Sequence, residues 1–178
     1  MIETSELLLK PKRKLILPRR LIGDRGSIGN SGLFYLTFRD MLQNDTAVDL
    51  LADTLKYALF TNSVTTPNFD TNTAYAAAPF NANEVAGTGY TAGGVAIAND
   101  TITVSSGTLI YDGDDCSWGP GATFSAARGG LIYDDTIATP VAKPALVLVN
   151  FGADFAVTAG TFTVQHAAGG IFTDDLTP

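Results

Sequence analysis

Hydrophobic and polar positions alternate along most of this chain, and a helical rhythm surfaces only near its front. Phe34, Phe38, Met41 and Leu42 fall at i, i+4, i+7 and i+8, the stripe of an amphipathic helix. Ser31 is placed to cap that helix, and the turn-forming run Gln43 to Thr46 ends it. The spacing predicts a helix over about 33–43, although Phe34, Leu36 and Phe38 also alternate as a strand would. Period two then takes over. Leu55, Tyr57 and Leu59 alternate with Lys56 and Ala58. Residues 61–94 make a long irregular stretch, full of turn residues and aromatics. Beyond it, Ile102 and Val104 face Leu109 and Tyr111 across SSG as a hairpin. GGLIYDD, PALVLVNFG, GTFTVQ and GGIFTDDL supply further short strands. The pattern predicts a mainly β fold: an antiparallel β-sandwich or barrel-like domain with one short N-terminal helix. A parallel sheet would need crossover helices after residue 50, and the sequence offers none.

Charge divides the chain differently. The whole sequence of 178 residues carries a formal net charge of −7. KPKRKLILPRR, residues 10–20, nevertheless holds Lys10, Lys12, Arg13, Lys14, Arg19 and Arg20 with no acidic residue. Residues 1–25 balance to +4, seven basic against three acidic, and residues 26–178 to −11, four against fifteen. Pro11, Pro18 and the glycines of GDRGSIGNSG oppose regular structure in this stretch. We read residues 1–32 as an extended basic arm and 33–178 as the β-rich globular domain. Leu15, Ile16 and Leu17 sit among the charges, and a purely solvated tail would not need them. The arm is thus expected to dock on something both apolar and acidic. Nucleic acid is disfavoured as that partner, because the acidic body would repel it. No apolar run approaches the roughly 20 residues that span a bilayer, so no membrane partner is expected. LLL and LIL are short and interrupted by KPKRK, unlike a secretion signal.

Candidate chemistry is sparse. The glycines of GTGYTAGG, Gly87 to Gly94, lack the Lys-Ser/Thr pair and strand–turn–helix setting of a phosphate loop, and read as a tight turn. Asp112, Asp114 and Asp115 cluster carboxylates, as do Asp134–Asp135 and Asp174–Asp175; the loop with three could offer oxygens to calcium, but EF-hand spacing is absent and solvated turns suffice. Cys116 and His166, the sole cysteine and histidine, lack flanks resembling a nucleophile turn and fall short of a zinc ligand set. We expect no catalytic residue, no metal and no cofactor.

A string of phrases carries a resemblance. DTLKYALFTNS, NFDTNTAY, NEVAGTGYTAGGVAI, DDCSW, ARGGLIYDD, VNFGADF and GTFTVQHAAGGIF follow one another from about Leu55 to Leu176. In this order they resemble a family of small structural proteins of tailed bacteriophages, with NEVxGTGYTAGG the most specific piece. The resemblance covers about two thirds of the chain; the long arm before Gly32 departs from it. It implies a non-enzymatic virion protein, assembled in the host cytoplasm, with a capsid decoration (cement) role as the leading expectation. The arm would then dock on the major capsid protein or a neck or tail protein, and copies would oligomerise on the particle. The alternatives are a neck, minor tail or tail-fibre component, or a carbohydrate-binding β-sandwich module. In the last case Phe69, Tyr75, Phe80 and Tyr90 would form a sugar platform; otherwise they plug the irregular loop onto the core.

Overall fold

The computed structural model describes residues 28–65 and 67–175. Nine elements follow one another: β1 (Gly32–Leu33), α1 (Tyr35–Gln43), β2 (Leu55–Phe60), β3 (Val95–Ala96), β4 (Thr101–Ser105), β5 (Thr108–Asp112), β6 (Cys116–Asp134), β7 (Ala145–Val164) and β8 (Phe172–Asp175). All strand pairs are antiparallel, as expected. One sheet has the order β1-β7-β6-β2-β3 and a second the order β4-β5-β8. The predicted hairpin is β4–β5, with Ile102 opposite Tyr111 and Val104 opposite Leu109. Ser106 and Gly107 both take positive φ at its turn, the backbone that a two-residue hairpin turn demands.

Residues 116–164 differ from expectation. GGLIYDD becomes the end of one strand of 19 residues, and PALVLVNFG and GTFTVQ merge into another of 20. The glycines and Pro120 that resemble strand ends sit instead at register shifts, between Trp118 and Ala122 among other places. Pairing with the partner strand continues through these irregularities, so residues that look like punctuation become bulges. β2 pairs only with the 129–134 end of β6. The other half of the β6–β7 ribbon therefore extends beyond the rest of its sheet.

Alternation along β2 sorts the core into two layers. Leu55, Tyr57 and Leu59 face one way, joined by Ile132, Leu146, Trp118 and Phe124. The second sheet closes this side through Tyr111 and Phe172. Ala58 and Phe60 face the other way with Leu131, Tyr133, Leu148 and Phe34. Here the irregular segment supplies the cover, in Val64, Phe69, Tyr75 and Phe80. Ile28, the first described residue, is already buried in this layer.

The helix begins later than predicted, and Ser31 does not cap it. Phe34 occupies the N-cap position with extended backbone and no side-chain cap bond. Ser31 Oγ instead accepts the N–H of Asn150, 2.9 Å away. Asn44, in the left-handed region, ends the helix. Phe34 is fixed by burial between Phe69 and Phe80, at centroid distances of 5.2 and 5.7 Å. That anchor sets the helix rotation, so Thr37 turns inward and Leu42 is left 80 % exposed. Phe34→Ala is expected to cost about 3–5 kcal/mol of stability. Leu42→Ala should change it by no more than about 0.5 kcal/mol. Urea denaturation of both variants checks the assignment.

Candidate functional site

The segment Asn83 to Gly94 forms a strap with both ends on the edge of β2. The N–H of Thr61 donates to the Asn83 carbonyl and that of Val85 to the Leu59 carbonyl. The return end enters β3, whose Val95 pairs with Tyr57. Between these points the strap crosses the extended half of the ribbon. Thr88 bridges to Thr123, and the Tyr90 ring stacks on Trp118 with centroids 6.0 Å apart. Phe124 meets Tyr90 edge-on.

Glu84 closes the neck of this strap. Tyr75 donates to its Oε2 at 2.6 Å, while Tyr90 and the Gly93 N–H each donate to Oε1 at 2.7 Å. The Tyr90 hydroxyl also accepts from the Leu59 N–H, tying the clasp to β2. Burial, and then the hydrogen bonds to Glu84, raise the pKa of Tyr75 and Tyr90 well above the ordinary phenol value. Both rings stay neutral donors at any physiological pH. Gly94 explains why the phrase ends in glycine: its φ is +75°, and a Cβ there would lie 1.9 Å from the Tyr57 carbonyl oxygen. Sequence reasoning read GTGYTAGG as a tight turn with glycines at positive φ; Gly89, Gly93 and Gly94 do take positive φ, and Gly87, Gly89 and Gly94 lie against the backbone of Thr123, Ala122 and Tyr57.

A second polar cluster sits at the closed end of the β6–β7 hairpin. Asp135 is held by Lys56 and Lys143, each at 2.7 Å. Burial alone would raise its pKa; the two ammonium groups outweigh that and hold it below the usual carboxylate range. Lys143 lies 5.8 Å over the Tyr75 ring, which stacks on Tyr133 at 4.3 Å. Asp134 is fully buried, and its Oδ1 accepts the N–H groups of Thr136 and Ile137 at 2.7 and 3.2 Å. Burial pushes its pKa up to about 6, against the pull of the Thr136 N–H and with a further rise from the Asp53 carboxyl. These carboxylates, expected as solvated turn residues, organise the turn from inside.

The remaining candidates disperse. Asp114 accepts from Asn99, and Asp115 accepts the N–H of His166 at 2.9 Å. Among the described residues no His/Cys/Asp/Glu group is arranged to hold a metal ion. His166 stacks on Tyr57 and sets Nδ1 at 3.2 Å from the Gly113 carbonyl, as an N–H donor to it. Cys116 is buried at the start of β6, and burial, then Asp115 and Asp114, push its thiol up to about 12. A thiol so placed is a poor nucleophile. Phe69, Tyr75, Phe80 and Tyr90 do not form an exposed row; they face Phe34, Tyr133, Phe60 and Trp118 respectively. The docking residues Lys10, Lys12, Arg13, Lys14, Leu15, Ile16, Leu17, Arg19 and Arg20 all lie outside the described residues. Sequence reasoning missed the exposed aromatic edge of β7 around Phe151, Phe155 and Phe162. Its signal was the recurrence of phenylalanine through NFGADFAVTAGTF, masked by the glycines between. No protein family, no curated protein and no solved structure matches the chain.

Two outcomes test this geometry. Gly94→Ala should destabilise by about 3 kcal/mol or more, since strain and collision with the Tyr57 backbone add. Gly121→Ala, also at positive φ but facing open space, should cost only about 1–2 kcal/mol. Asp134 supplies a pH test. Its folded pKa is raised, so the native state holds the proton more tightly than the unfolded chain. That contribution to stability is complete below about pH 4 and is lost as pH rises through about 6. Asp134→Asn keeps the turn acceptor without the charge. Its Tm should exceed that of the parent at pH 8, by the equivalent of about 1–3 kcal/mol, and the advantage should vanish near pH 4.

Proposed function

We propose that this chain is a non-enzymatic structural protein of a tailed-bacteriophage virion, a capsid decoration protein that docks through its basic-aliphatic arm. One observation carries the reading. Asn83 to Gly94, the phrase that most specifically resembles phage structural proteins, is the strap that holds the domain together through Glu84, Tyr90 and Gly94. A phrase of this kind marks a shared architecture rather than a shared chemistry. The deep carboxylates fit the same reading, because each is committed to a turn or a clasp of the domain itself.

An acidic β body with a basic arm suits assembly on a particle. Ordering the arm costs roughly 1–2 kcal/mol per residue in backbone entropy. Exposed ion pairs return only about 0–1 kcal/mol each. Leu15, Ile16 and Leu17 must therefore supply much of the affinity, with Lys12, Arg13 and Lys14 setting register and partner choice. The major capsid protein is the first candidate neighbour; a neck, minor tail or fibre position is the second reading.

Quantifying the chain against the major capsid protein in purified virions decides between the two. Hundreds of copies are expected; a dozen or fewer would move the protein to the neck or tail. In a particle-binding assay, Leu15→Ser, Ile16→Ser and Leu17→Ser together should weaken binding at every salt concentration. Lys12→Gln, Arg13→Gln and Lys14→Gln together should mainly flatten the salt dependence. Unchanged binding by both triple variants would remove the docking role of the arm.

A further inference from the structure

Among the described residues the outer edge of β7 is unpaired over most of its length. β1 pairs with it only at Val147 and Leu148. Beyond that point the N–H of Asn150 goes to the Ser31 hydroxyl and the N–H of Gly152 to the Asn150 side chain. Among the described residues no strand pairs with this side of β7 from Phe151 to Val164. An open groove of about 290 Å³ runs along it, lined by Phe151, Phe155, Phe162, Thr163, Val164 and Gln165. All of its lining comes from β7 and the residue after it. Phe155 is 47 % exposed, an unusual cost for an aromatic ring on a strand whose outer side has no partner among the described residues.

We propose that this edge receives residues 15–22 of the N-terminal arm of a second copy of this chain, added as an extra strand. The inference rests on the reading of the arm as a docking element, and it names the first neighbour that the arm meets. The arm has the composition that an edge strand needs. In an extended LILPRRLI, Leu15, Leu17 and Leu21 share one face and one hydrogen-bonding side. Pro18, with no N–H to give, falls on the opposite side, where a strand at a sheet edge tolerates it. Main-chain bonds to β7 would supply affinity and the phenylalanine groove would select the leucines. The charges agree: residues 1–25 balance to +4 and the remainder to −11.

The donor is taken as a second copy rather than the same chain, because the described residues before β1 turn away from this edge. Ile28 is buried in the layer of Leu131 and Leu148, whereas Phe151 and Phe162 pack in the opposite layer. The Ser31 hydroxyl, not a continuing backbone ladder, occupies the first free N–H of the edge. Giving and receiving surfaces differ, so the contact is heterologous and builds rows or rings of copies.

Sedimentation velocity of the full-length protein over a concentration series tests this. The wild type should self-associate. Phe155→Lys, which removes the groove ring and repels the basic arm, should weaken association at least about tenfold. Leu15→Ser, Leu17→Ser and Leu21→Ser together should do the same from the donor side. An equimolar mixture of the two variants should recover a species of two chains and nothing larger, since one intact arm meets one intact edge. A wild type that stays monomeric, a Phe155→Lys chain that associates normally, or a mixture that fails to pair would each overturn the proposal. A monomeric wild type that still binds virions through its arm would overturn this inference alone and leave the proposed function standing.

Discussion

A single carboxylate governs the layout of this domain. Glu84 gathers two tyrosine hydroxyls and a backbone N–H at the neck of the strap, and the Tyr90 hydroxyl passes the connection on to β2. The strap is otherwise irregular, with few ladder bonds of its own to hold it across the ribbon. Charge-assisted hydrogen bonds are roughly twice as strong as neutral ones, and here they are concentrated at the one place where the loop closes. With the neck closed, Tyr90 is delivered to Trp118 and Phe124, and the extended half of the ribbon gains a cover. Without it, the apolar face of that half would lie open to water.

The β6–β7 ribbon is the second constraint. Its length brings two demands, a firm closed end and a covered face. Asp134 and Asp135 meet the first from opposite electrostatic positions, one raised by burial and the other lowered by two ammonium groups. The strap, the second sheet and Phe172 meet the second. Among the described residues neither meets the outer edge of β7, a strand that also lines an aromatic groove.

Much of the architecture was legible in residues 33–60 and 95–112. Alternation in Leu55, Tyr57 and Leu59 marks a strand wherever it lies, and SSG between alternating runs makes a hairpin with little help from the rest of the chain. The candidate chemistry was legible in a weaker sense. The sequence marked Asp134 and Asp135 as a pair, but nothing local tells a solvated aspartate from one sealed under a turn. Glu84 appeared only inside a phrase, because its partners Tyr75 and Gly93 stand nine residues away on either side.

By itself the sequence determined the period of each element, the antiparallel class of the sheets and the contrast between a basic front and an acidic body. Those properties depend on neighbouring residues and on summed charge, which no fold rearranges. Tertiary structure alone decided that Gly119, Pro120 and Gly121 bend a strand instead of ending it, and that Phe34 rather than Ser31 starts the helix. It also turned Leu42 outward and Asp134 inward. Each of these outcomes depends on a partner distant in sequence: a paired strand that continues through a bulge, an aromatic pocket that fixes a helix rotation, a neighbouring strand end that covers a carboxylate. Local preferences of a few tenths to about 1 kcal/mol yield to such long-range burial, which contributes about 1.5–3 kcal/mol per large side chain.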